Sequence, residues 1–97
     1  MDEKYITYIM CALFGEDKKD KIVFSGDAPE LINELLNRLS EKQRVIIDKC
    51  ASGMKMSEIA RYYGVTPSTI RWHKLKAIRR MKNPSLCKPL WVLIKKD

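Results

Sequence analysis

Apolar residues recur every three or four positions through most of the chain, as in helices that each bury one face. Over residues 3 to 14, Ile6, Ile9, Met10, Leu13 and Phe14 share one side of a helix, and Gly15 can stop it. The aromatic and β-branched run Tyr5-Ile6-Thr7-Tyr8-Ile9 leaves a strand open as the alternative. Glu16 to Lys21 is a charged turn, and Ile22-Val23-Phe24 is too short to classify, with an extended connector as one option. Ser25-Gly26-Asp27 then prepares a helix start. Asp27 can cap it, Pro29 suits the first turn, and Glu30 favours the positive end of the helix dipole. Leu31, Ile32, Leu35, Leu36 and Leu39 make its buried stripe.

The second half of the chain is punctuated more sharply. Ser40-Glu41-Lys42-Gln43 has the form of a capping box, in which Ser and Gln side chains satisfy free backbone N–H groups reciprocally. The helix it opens turns Val45, Ile46, Ile47 and Cys50 inward and ends near Gly53. Ser57 is the expected cap of the next helix, with Ile59, Ala60 and Tyr63 on its core face. Gly64 permits a turn that other residues resist, Thr66 caps the last long helix, and Pro67 takes its first position. That helix spans 67–82, and Asn83-Pro84 terminate it. Ala60, Gly64 and Ile70 hold the three positions that let two helices cross steeply: a small residue for close approach, a glycine turn, and a branched apolar residue to fill the angle. The predicted fold is all-α, a small bundle of about four to five helices containing a helix-turn-helix, winged-helix-like or sigma region 4-like. Its parts are an N-terminal helix and connector (1–26), the helix-turn-helix domain (27–83) and an apolar tail (84–97).

Charge changes the picture from a bundle to a bundle with a polarity. Residues 1 to 36 hold eight acids and four bases, whereas residues 37 to 97 hold four acids and fifteen bases. The resulting net charges, −4 and +11, make up the chain's +7. Positions 59 to 96 contain ten Lys or Arg and no acid at all. A basic half that coincides with a helix-turn-helix suits a polyanion, and double-stranded DNA is the first candidate. The three cysteines form no CxxC pair, and one His cannot complete a zinc-finger ligand set, so no metal and no cofactor is expected. The odd, widely spaced thiols fit a reducing cytoplasm. The apolar runs are too short to span a bilayer, and Met1-Asp2-Glu3 lacks the positive start of a signal peptide. An enzyme is not expected: there is no phosphate-cradling glycine loop, no nucleophile elbow and no calcium-loop spacing among Glu16, Asp17 and Asp20.

The segments 39–47, 57–60, 64–71 and 76–81 together resemble region four of bacterial sigma factors of the sigma-70 family. The same stretch is similar to the output domain of LuxR/GerE-type regulators, a pattern that Leu39, Ser40, Gly53, Ile59, Ala60, Ile70 and His73 fit. His73 favours the LuxR side and the basic tail after Ile78 the sigma side. Residues 1 to 35 are too few for the polymerase-binding domain of a complete sigma factor, and no receiver or ligand-binding domain is expected either. The resemblance therefore implies DNA binding and transcription regulation, bacterial or phage, not initiation competence. It also makes RNA polymerase or a sigma factor the partner in an alternative reading, with DNA contact secondary.

With Ile70 inward, Lys74, Ala77, Ile78 and Met81 share its side of the helix, and Ser68, Arg71, Trp72 and Leu75 point outward. Ser68, Arg71 and Trp72 are the expected base readers. Arg71 can pair bidentately with guanine, and Trp72 can pack on a thymine methyl or a sugar unless it is an edge-of-core aromatic. Thr66 and Thr69 suit phosphate at the helix N-terminus. Arg61, Lys76, Arg79 and Lys82 are electrostatic candidates, each with a solvated charge as its alternative. His73 reads as a satisfied, semi-buried residue rather than a pH switch. The apolar tail from Pro84 to Ile94, and the N-terminal helix, either pack on the core or offer a partner surface. A homodimer built through these added elements is the favoured assembly.

Overall fold

The computed structural model describes residues 1–96. Six α-helices follow in order: α1 (Glu3–Phe14), α2 (Ala28–Leu36), α3 (Glu41–Ala51), α4 (Met56–Tyr63), α5 (Pro67–Met81) and α6 (Pro84–Cys87). Short 3-10 turns occupy Glu16–Lys21 and Lys88–Leu93. The all-helical expectation holds, but the count exceeds four to five because the tail winds into α6 after Asn83. The Asn83 side chain accepts the Ser85 N–H at 3.1 Å and so opens one more turn. No wing follows α5. Among the described residues the only β-pairing is an isolated antiparallel bridge between Ile22 and Ile94. Around it the Val23 N–H donates to Leu93 O and the Lys95 N–H to Lys21 O, both at 2.7 Å. The segment at 22–24, too short to classify from its sequence, is extended at Ile22 and ties the C-terminal segment to the N-terminal half.

Most helix starts follow their sequence signals. Segment 3–14 is helical rather than extended, and Asp2 caps it by accepting the Tyr5 N–H at 2.8 Å. The Ser40–Gln43 box forms in both directions, at 3.2 and 3.3 Å. Two starts differ from expectation. Asp27 precedes α2 in helical conformation, and its side chain makes no capping bond. α4 begins one residue before Ser57: Lys55 stands at the cap position, and the Glu58 carboxylate accepts its N–H at 3.2 Å. A carboxylate three residues into the helix can satisfy that donor, so the serine hydroxyl is not needed. α5 ends at Met81, with Lys82 as its cap, one residue short of the expected span.

The core is divided in two, and α3 is the shared wall. Ile46 faces a small cluster with Ile59, Ala60 and Ile70, partly closed by Cys50, Met54, Met56 and Tyr63. Its neighbour Ile47 faces the larger cluster, where α1, α2, Ala77, Met81 and the tail residues Cys87, Leu90 and Leu93 meet. Two adjacent side chains of a helix lie about 100° apart, so one helix can serve both cores. α1 is also pinned to α3 by a polar contact, the Tyr5 hydroxyl donating to Asp48 at 2.8 Å. Burial, and then that carboxylate, push the Tyr5 phenol well above its ordinary range, so it remains a donor.

Candidate nucleic-acid interface

The small cluster sets the angle between α4 and α5. Ala60 and Ile70 are both buried, at 2% and 0% exposure, and the chain reverses between them at Gly64. Gly64 is left-handed, with φ +67° and ψ +34°. The Val65 N–H donates to Ala60 O at 3.0 Å and the Gly64 N–H to Arg61 O at 3.3 Å, which closes the end of α4 as a Schellman turn. Thr66 then starts α5, its hydroxyl accepting the Thr69 N–H at 3.4 Å. The two threonine hydroxyls lie 3.1 Å apart at the helix N-terminus, where free N–H groups and the dipole favour an anion.

From that start, helical phase separates two faces. Ile70, Ala77 and Met81 are fully buried, whereas Ser68, Arg71, Trp72, Leu75, Lys76 and Arg79 are exposed. Lys74 and Ile78 lie at the margin, where Lys74 Nζ stands 5.8 Å from the Tyr8 ring of α1. Trp72 is 55% exposed, and Lys76 Nζ sits 4.4 Å above its ring, a cation–π contact that orients both side chains. Among the described residues neither α1 nor the tail buries Arg71, Trp72, Leu75 or Lys76 of this strip, all of which are exposed.

The remaining expected residues sit apart from it. Arg61 is exposed in the last turn of α4. Lys82 lies about 24 Å further along the α5 axis than Thr66, at a rise of about 1.5 Å per residue. There it borders a recess with Leu13, Phe14 and Trp91. The structure therefore brings together Thr66, Ser68, Thr69, Arg71, Trp72 and Lys76, with Arg79 one turn beyond and Arg61 and Lys82 at the two ends.

One contributor was not read from the sequence. Lys42, in the first turn of α3, has its Nζ 5.9 Å from the Tyr63 ring and acts on His73 across the α3–α5 crossing. His73 is half-buried and stacks edge-on to Trp72 at 5.0 Å. Burial, and then the Lys42 and Lys76 ammoniums, hold its imidazole below the ordinary histidine value. Nothing in the spacing of residues 42 and 73 announces this approach, which depends on how the two helices cross. Among the described residues no salt bridge engages Arg71, Lys76 or Arg79.

The model of the LuxR family of bacterial regulatory proteins matches residues 37–90, just over half of the chain. Neither a curated protein nor a solved structure gives a match. The matched stretch contains all of α3, α4, α5 and α6, and with them every residue of the exposed strip. The chain accordingly belongs to the LuxR family of bacterial regulatory proteins, whose helix-turn-helix domain binds double-stranded DNA in the control of transcription.

Proposed function

We propose that this chain recognises a specific double-stranded DNA sequence through α5 and regulates transcription in the cytoplasm. The observation that carries the reading is the outward strip of α5: Arg71 and Trp72 stand exposed beside buried Ile70 on an acid-free, basic helix. In the major groove such a helix offers base edges a guanidinium fork and an indole. Ser68 is the third base reader, one turn earlier. Thr66, Thr69 and the helix N-terminus hold a phosphate, and Lys76, Arg79, Arg61 and Lys82 supply sequence-independent attraction.

Selection of bound fragments from a random duplex pool, followed by salt titration of the winner, tests this. The chain should yield a consensus. Arg71→Ala should relax one base position, at about 1–3 kcal/mol of lost discrimination. Lys76→Ala should weaken all duplexes alike and lower the slope of log affinity against log salt by about 0.9. A pool that never converges, or two variants with the same phenotype, would show that α5 is not the reading helix.

A further inference from the structure

We propose that the cleft beside Trp91, at the C-terminal end of α5, docks an acidic segment of a partner protein that carries bulky apolar side chains. The tail folds back so that Leu90 and Leu93 enter the core, at 1% exposure each, yet it leaves Trp91 at 50% and Val92 at 71%. Trp91 is held in place by Phe14 of α1, ring centroids 4.5 Å apart. On one side of it lies a recess of about 490 Å³ floored by Leu13, Phe14, Pro84 and Trp91. Its only charged liners among the described residues are Lys82 and Lys88. On the other side Trp91 and Ile94 border a second recess of similar size, in which every charged liner among the described residues is a lysine, Lys95 and Lys96 included.

The chemistry of this surface selects its occupant. An apolar floor rewards a ligand with apolar side chains, and the lysines Lys82 and Lys88, the charged liners of the first recess among the described residues, draw carboxylates toward it. A DNA backbone would meet the lysines and leave Phe14 and Trp91 without a use. A second copy of this chain, docked about a two-fold axis here, would bring one lysine rim against the other. A flat anionic bilayer would reach Val92 but not the floors of two recesses. An acidic segment with Leu, Phe or Trp at helical or alternate spacing fills the recess and answers the rim together.

Panning a random peptide library against the intact chain tests the proposal. Enriched peptides should combine Asp or Glu with Leu, Phe or Trp. Synthetic versions should lose affinity about tenfold on Trp91→Ala or Lys88→Glu, the scale of an interface anchor. Trp91→Ala and Val92→Ser, which leave the charge unchanged, should keep the wild-type affinity for duplex DNA, which separates this surface from the recognition strip. Should Trp91→Ala unfold the chain, the exposed Val92→Ser and Lys88→Glu variants carry the comparison. Enriched peptides without acids, or peptide affinity indifferent to these substitutions, would overturn the proposal. So would Trp91-dependent self-association, or binding to phosphatidylglycerol vesicles, with no peptide enriched.

Discussion

Ile70 and Arg71 are adjacent in the chain and have opposite tasks, because one residue of helix turns the side chain through about 100°. The first fills the angle between two helices, and the second stands free beside an indole. The same arithmetic half-buries His73, where burial and then the Lys42 and Lys76 ammoniums disfavour its charge. Its depressed pKa has a definite consequence for stability. A histidine that resists protonation in the folded state adds stability above the ordinary imidazole value of about 6.5, and that stability is lost as pH falls through the folded pKa. The melting temperature should therefore drop as pH falls from neutral toward 5, and His73→Gln should flatten that part of the profile. An unchanged profile in the variant would assign the acid sensitivity to other groups.

At the scale of elements, the helix-turn-helix depends on where α4 stops. Gly64 lies in the left-handed region, and a Cβ placed there would meet no atom within 4 Å. Gly64→Ala is thus a test of backbone strain without steric overlap. It should destabilise the fold by about 1–2 kcal/mol, the usual left-handed penalty for an L-residue, as read by chemical denaturation. A loss several times larger would mean that the turn has been displaced and the α4–α5 angle with it. The element boundaries show where local signals compete. The boxes at Ser40 and the threonine at 66 cap their helices as their sequence predicts. At α4 a glutamate outweighs a serine, since Glu58 reaches back to the Lys55 N–H.

On the scale of the whole molecule, the two ends of the chain are joined. The Ile22–Ile94 bridge and the entry of Leu90 and Leu93 into the larger cluster make the tail part of the core that holds α1 and the far end of α5. Leu90→Ala should cost about 2–5 kcal/mol, as for other buried leucines, and melting should remain a single transition. If the tail melted before α5, with its own midpoint, it would be an appendage and not a structural member. The Trp91 cleft borders Lys82, about 24 Å along the α5 axis from the Thr66 end that opens the recognition strip.

Local sequence was sufficient for what repeats or caps locally: the long helices from three- and four-residue periodicity, the starts at Ser40 and Thr66 from their hydroxyls, and the turn from Gly64. It also placed Arg71 and Trp72 opposite Ile70, since phase along one helix needs no knowledge of its neighbours. What required the tertiary structure were the contacts between distant elements: the approach of Lys42 to His73, the splitting of Ile46 and Ile47 between two cores, and the seating of Trp91 on Phe14. Such contacts arise from crossing angles and chain reversal. No short-range pattern encodes them, because the free energy that selects them is shared among side chains far apart in the chain.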